Sequence, residues 1–407
     1  MPGPAILEGM RIVEGSAFVA APLGGMTLAQ LGAEVIRFDP IGGGLDIGRW
    51  PLTGDGKSLF WAGLNKGKRS ITIDLGSAEG QEIATALITA PGADAGIFLT
   101  NFPARGWLDY DRLAARRADL IMVNVIGNPD GSSAVDYTVN CAAGFPFVTG
   151  PEASEGPVNN VLPAWDCITG MTAAVGILAA ERRRRSTGEG RLVRLALSDV
   201  AMAMAGNLGY IGEVRINRQE RGRYGNYLYG AFGRDFATGD GKRIMLIALT
   251  GRQWRGLIKA TGLGDSFAEI GRRQGLDLDD EGDRFKAREA IADALEPWIG
   301  ARGFDDVAKA FDTEGVCWGP YQTFKQMVEN DPRASAANPM FQEIEQPGIG
   351  AYPAPASPLD FTGLERGEVA PAPELGQHTD EILDAVLGLS GAEIARLHDR
   401  GVVAGLG

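Results

Sequence analysis

A chain of 407 residues, 44% apolar and 22% charged, is long enough for two or three cores of ordinary globular composition. Its net charge of −13, with arginines scattered apart from a short run at 182–185, argues against nucleic acid or an anionic membrane as partner, because either would call for a basic face. Three cysteines (Cys141, Cys167, Cys317) without metal or redox spacing, and no leader-like or 18-residue apolar run, fit a cytoplasmic protein with no metal site and no membrane span.

The chain opens as strand–turn–helix–strand. Met10–Val13 is a short apolar run, Glu14–Ala17 turns, Pro22–Leu31 carries helix signals ended by Gly32, and Val35–Phe38 is a second strand closed by Asp39-Pro40. An acidic residue in that place would serve a nucleotide ribose, but the turn reads Gly15-Ser-Ala-Phe-Val-Ala and lacks G-x-G-x-x-G, which argues against a nicotinamide or flavin site. Next, Asn65–Leu75 is a basic turn feeding an alternating strand; Lys66, Lys68 and Arg69 form either a solvated loop or a cationic lip for a phosphate. A helix over Gly80–Leu87, strands over Ala95–Leu99 and Asp119–Val125, and a strand at Leu192–Leu197 continue the alternation. The pattern predicts a doubly wound parallel sheet with ligands at the strand carboxyl ends.

Between the last two strands lies Val161-Leu-Pro-Ala-Trp-Asp166-Cys-Ile-Thr-Gly-Met171. From Ile168 the apolar steps of three and four predict a helix ending in Arg182–Arg185 and Ser186-Thr-Gly188, with its cations at the negative end. Asp166 therefore sits at or beside a helix N-terminus. It reads either as a plain N-cap or as a nucleophilic carboxylate, shielded by Pro163 and Trp165 before it and small or apolar residues after it. Beyond the large domain (1–205) the residues suggest a linker (206–224), a smaller α+β domain (225–330) built on a hairpin around Thr238–Gly241, a proline-rich extended linker (331–374), and a C-terminal helix pair (375–407) that returns to the large domain. The only histidines, His378 and His398, lie in charged C-terminal segments, which leaves carboxylates, hydroxyls and backbone groups to carry any chemistry.

In this order the pieces resemble the class III (formyl-CoA transferase-like) coenzyme A transferases over essentially the whole chain. The resemblance rests on Leu7–Val13, Leu28–Ile36, Asn65–Leu75, Asn101–Pro103, Asp136–Gly144, the series Asp166, Thr169, Gly170, Ala179, Ala180, Arg184, Thr187, Gly188 and Gly190, then Gly315–Pro320 and Leu375–Thr379. Departures are Asn140, Cys141 and Ala143, and Trp165 where most members place a small residue. Another is Thr250-Gly-Arg-Gln253, where formyl-CoA transferases carry a glycine-rich loop; with Trp165 it argues against a formyl or oxalyl group.

The resemblance implies a Rossmann-like large domain plus a smaller α+β domain in an interlocked homodimer, with Asp166 as nucleophile and no tightly bound cofactor, coenzyme A being part of the substrate. It places CoA along Phe18, Val19, Ala20, Arg37, Pro40, Ile73, Leu75, Asn101, Phe102 and Arg105, and the acyl pocket at Arg49, Tyr137, Asn140 and Trp165. For Arg105 a plain surface arginine, and for Asn101-Phe102 a plain turn, stay open; Arg49 is a phosphate clamp, a carboxylate clamp or a surface charge. The insertions Glu14–Pro22, Phe98–Trp107, Pro163–Asp166 and Gly225–Arg234 imply the thioester of a small dicarboxylic acid, with CoA moved between the two carboxylates of one molecule. The rivals are transfer to a free acid acceptor, a nicotinamide-dependent oxidoreductase, and a non-catalytic acyl-CoA binder in which Asp166 only caps.

Overall fold

The computed structural model describes residues 5–406, and the chain divides into two compact units. The larger takes the chain up to Ala143, Asn160–Asn217 and everything from Asp331 on; the smaller takes Gly144–Asn159 and Arg218–Asn330.

The larger unit is built on β1 (Arg11–Gly15), β2 (Glu34–Pro40), β3 (Arg69–Ile73), β4 (Ile97–Thr100), β5 (Ile121–Ile126) and β6 (Arg191–Ala196). All six run parallel in the order β3-β2-β1-β4-β5-β6, the doubly wound order, and Val403–Ala404 adds a short antiparallel edge beside β3. Alternate side chains feed two cores, as the period of a strand requires. Phe38, Ile71, Phe98 and Met122 face one side with Leu87 and Ile382, while Ile12, Val35, Leu99 and Val123 face the other with Leu28, Ala173 and Ile177. The chain winds outward in both directions from β1 and β4, which pair at Gly15↔Thr100, so the crevice of this sheet opens at their carboxyl ends.

Two helices cover the second core, Ala20–Ala29 and Ala164–Thr187. They touch backbone to backbone: a Cβ on Gly24 would stand 2.9 Å from the Gly170 carbonyl oxygen, and one on Gly170 would stand 2.7 Å from that of Ala20. The longer helix stops at Gly188 in the left-handed conformation (φ 72°). Its basic run is partly structural, since buried Arg184 donates to the Ala95 and Gly96 carbonyls at 2.8 and 3.2 Å.

The C-terminal helices Thr379–Leu387 and Gly391–Asp399 pack beside β3, where the Ser70 N–H donates to His378 Nδ1 (3.1 Å) and His398 meets Asp380 (2.7 Å). The proline-rich 331–374 stretch is more than a linker: Phe341–Gln346 and Gly350–Pro355 pair as an antiparallel hairpin, which tolerates Pro353 and Pro355 because their strand has a free edge. The smaller unit holds a three-stranded antiparallel sheet (Phe232–Ala237, Arg243–Ala248, Cys317–Pro320) under helices whose core includes Trp254, Phe267, Ile291 and Phe311, an α+β arrangement. No helix among the described residues is long and apolar enough to cross a membrane.

Candidate active site

The loop from Ser16 to Val19 leaves β1 at the crevice, and a buried charge network fixes its path. Arg37, 1% exposed, donates through Nε and one terminal nitrogen to Asp39 (2.8 and 2.9 Å), and through that same nitrogen to Asp46 (3.0 Å) and the Ser16 carbonyl (3.1 Å). Its other terminal nitrogen reaches Asn65 Oδ1 (3.1 Å), which also accepts from Lys68 Nζ (2.9 Å). Lys68 pairs with Glu14 Oε1 at 2.8 Å, and Ser16 Oγ donates to the same oxygen at 2.7 Å. Burial pulls the Lys68 ammonium down to about 8 even with Glu14 beside it, while the surrounding carboxylates outweigh burial at Arg37 and raise it.

Above this network, Asp46 Oδ2 accepts the Phe18 N–H at 3.2 Å, and Asn101 brackets Ala17 by accepting its N–H (2.9 Å) and donating to its carbonyl (2.7 Å). Held from both sides, Phe18 adopts φ 67°, a left-handed conformation that a phenylalanine enters only under constraint. The half-exposed ring lies 5.4 Å from the Arg49 guanidinium, which also lies 5.2 Å from the Phe60 ring.

Asp166 occupies the third position of its helix, which begins at Ala164, two residues before the carboxylate. The N-cap residue, Pro163, offers no side-chain acceptor. Asp136 supplies it from the neighbouring helix Asp136–Ala142, with Oδ2 accepting the N–H groups of Trp165 (2.7 Å) and Asp166 (3.0 Å). The capping role that Asp166 was a candidate for therefore belongs to Asp136. Among the described residues the Asp166 carboxylate has no hydrogen bond and no ion pair. Burial, then the neighbouring Asp136, raise its pKa to about 6, with Arg49 pulling the other way. Such a group is mostly ionised at neutral pH yet more basic than an ordinary aspartate, which suits nucleophilic attack. Burial and the same two carboxylates push the Cys167 thiol up, so it offers no competing thiolate.

Asp136 meets the Asp166 backbone, Arg49 lies against the Phe18 and Phe60 rings and its charge acts on Asp166, while several residues expected to meet ligand have other roles. Arg37 is spent on Asp39, Asp46 and Asn65, so it shapes the loop from below. Asp39 is likewise occupied by Arg37 and is not open to a ribose. The basic turn is no phosphate lip: Lys68 and Lys66 are buried, Lys66 donating to the Gly63 carbonyl (2.5 Å), and Arg69 bonds Glu34 and Glu381.

Ile73 is fully buried between β2 and the terminal strand, and Val19 and Ala20 are buried at the helix start. Trp165 (5% exposed) and Asn140 (1%) face inward, the indole N–H donating to Asn140 Oδ1 at 3.0 Å, so they brace the Asp166 turn from behind. Tyr137 is more exposed, its hydroxyl on the Val161 carbonyl at 3.2 Å. The Asn101 amide is committed to Ala17, and Phe102 packs edge-on against Phe38 at 6.4 Å. Pro40 and Leu75 are half-buried at strand carboxyl ends, and Arg105 is exposed. Asp136 and the buried network were missed; the one signal for the network is a Glu, an Arg and an Asp inside otherwise apolar strands (Glu14, Arg37, Asp39).

With the geometry in place, comparison with known proteins is specific. The family model described as CoA-transferase family III matches residues 7–379. The 2-methylfumaryl-CoA isomerase of Chloroflexus aurantiacus is 64% identical over 401 residues, 98% of each chain. The succinyl-CoA:mesaconate CoA-transferase of Haloarcula marismortui is 28% identical over 93% of this chain and 96% of its own. A CAIB/BAIF family protein from Brucella suis superposes with a TM-score of 0.77 at 23% identity, covering 95% of this chain and all (100%) of that one.

Proposed function

The chain belongs to CoA-transferase family III, and from that premise we propose that it is a CoA-transferring isomerase, moving CoA from C1 to C4 of mesaconyl-CoA (2-methylfumaryl-CoA to 3-methylfumaryl-CoA) through Asp166. The observation that carries the role of Asp166 is its bare carboxylate, held in the first helical turn while Asp136 does the capping.

An Asp166 oxygen attacks the C1 thioester carbonyl; the C–S bond breaks and leaves a mixed anhydride and CoA thiolate. The thiolate attacks Asp166 Cγ and expels the C1 carboxylate, giving an aspartyl-CoA thioester. The C4 carboxylate then attacks the same Cγ and expels thiolate, and the thiolate attacks the C4 carbonyl. The C4 thioester forms and Asp166 returns as carboxylate. No proton is consumed, and retention of the diacid makes the sequence an isomerisation. Water excluded from Asp166 protects both acyl intermediates from hydrolysis, and the same burial raises its pKa.

CoA is proposed to lie over the strand carboxyl ends, along Phe18, Pro40, Leu75 and Phe102 with Arg105 toward a phosphate; the half-buried or exposed state of these residues supports that path. The exposed Met171 and Val175 on the Asp166 helix, with Ile211, Val214 and Ile216 farther on, support a homodimer in which the partner copy covers them. Residues 1–205 with 375–407 are proposed as the CoA-binding and catalytic domain.

Trapping tests the mechanism: hydroxylamine added during turnover is expected to leave a hydroxamate on Asp166, and a trapped adduct on any other residue overturns it. The competing reading, transfer to a free acid, is favoured by the Haloarcula relative's intermolecular reaction. Incubation with unlabelled free mesaconate decides, since its entry into product from labelled mesaconyl-CoA excludes the intramolecular path.

A further inference from the structure

We propose that Arg49 is the specificity-determining residue for a second carboxylate on the acyl group: its guanidinium, set between Phe18 and Phe60 beside Asp166, holds whichever carboxylate is not reacting. The proposal rests on Asp166 as nucleophile and sharpens that reading by naming the substrate class that the site demands.

Three observations carry it. First, the guanidinium has no hydrogen bond or ion pair among the described residues, and its contacts are the two ring faces, 5.4 and 5.2 Å away. Stacking fixes the plane of an arginine while leaving its N–H edges free for a carboxylate fork. Second, its backbone is anchored at both ends: the Arg49 N–H donates to the Asp46 carbonyl (3.2 Å), and the Arg49 carbonyl accepts from Ser58 Oγ (2.6 Å). The Asp46 side chain meanwhile holds the Phe18 N–H, so one buried residue places both the cation and one of its rings. Third, Arg49 is near enough for its charge to favour ionised Asp166, against Asp136. A diacid monothioester brings a third negative charge to two carboxylates already present, and an unpaired cation is what admits it. As CoA passes from one end of the diacid to the other, the freed C1 carboxylate takes the place that C4 vacates, and the same fork serves both.

The experiment compares a diacid monothioester, mesaconyl-CoA, with the same thioester whose free carboxylate is a methyl ester. The readout is the rate of covalent loading, as Asp166 hydroxamate by mass spectrometry. The natural chain is expected to prefer the diacid by about 30- to 1,000-fold, the range for a desolvated charge pair. Arg49→Gln is expected to bring that ratio to within about threefold, and Arg49→Lys to keep about tenfold of it. An Arg49→Gln chain that keeps the full preference overturns the proposal. So does one that slows both substrates by the same factor, because that is the signature of a cation on a CoA phosphate. Asp166→Asn separates the two levels: hydroxamate formed elsewhere at an unchanged rate in that variant removes the nucleophile, whatever the Arg49 variants do.

Discussion

Beneath the Ser16–Val19 loop, Glu14, Arg37, Asp39, Asp46 and Lys68 are all buried and all paired with one another; at the start of the Ala164–Thr187 helix, Asp166 is partly buried and its carboxylate has no hydrogen bond or ion pair among the described residues. Both places take charge out of water, which costs several kcal/mol for each ion. In the first, ion pairs and shared hydrogen bonds offset the cost, and the result is a loop fixed well enough to hold Phe18 at positive φ. In the second the cost is left standing, visible as a pKa raised to about 6, and the result is a carboxylate with its oxygens available for reaction. The contrast separates a charge that builds from one that reacts.

The contrast breaks most sharply at Asp166. Asp166→Asn is expected to lower turnover by at least about 10⁴-fold, as loss of a nucleophile does. It is also expected to stabilise the fold. The folded pKa lies above the ordinary 3.8, so folding disfavours the ionised form. The variant's advantage should be full above about pH 6, at up to about 3 kcal/mol, and should shrink to nothing as pH falls below about 4. Thermal melts of both chains across that range measure it; equal stability at pH 8 removes the claim of an uncompensated charge.

Arg37→Leu should act in the opposite sense. It leaves Asp39 and Asp46 buried without their cation, and about 3–5 kcal/mol of stability is expected to go, read as a lower urea midpoint. Gly170→Ala pushes a methyl to 2.7 Å from the Ala20 carbonyl oxygen and should cost about 1–3 kcal/mol by the same measurement.

The smallest effect is the most diagnostic. In the natural chain, kcat should fall on an acid limb near pH 6 as Asp166 protonates. Asp136→Asn keeps an oxygen acceptor for the two helix N–H groups but removes the neighbouring negative charge, so the limb should move to lower pH with the fold intact. Asp136→Ala should shift the limb likewise and lose about 0.5–2 kcal/mol of stability as well. A limb that stays in place for both variants assigns the raised pKa to burial alone.

Much of this was legible in the residues. The alternation of apolar runs with helical periodicity yields the sheet and the long helix that carries Asp166, but not the helix's buried face: Met171 and Val175, part of the apolar stepping, are exposed, and Ala173, Ala174 and Ile177 are buried instead. What stayed hidden was whatever depends on partners remote in the chain. Asp136 lies thirty positions before the N–H it caps, and no local pattern distinguishes it from a surface acid at a helix start. The resemblance places Arg37 on CoA; only the convergence of Asp39, Asp46 and Asn65 shows that its donors are used up. Trp165 beside the nucleophile suggested a wall of the pocket, yet strand and helix geometry turn adjacent side chains apart, and the ring goes inward to Asn140.

The meeting of Gly24 with Gly170 has a consequence for how such a site can diversify. Because main chain rests on main chain there, the height of the nucleophile above the sheet is set by two polypeptide backbones, with no intervening side chain whose size could drift. Residues around the acyl group are then free to change shape and charge over evolutionary time, or in the hands of an engineer, without carrying the reactive oxygen away from its working position.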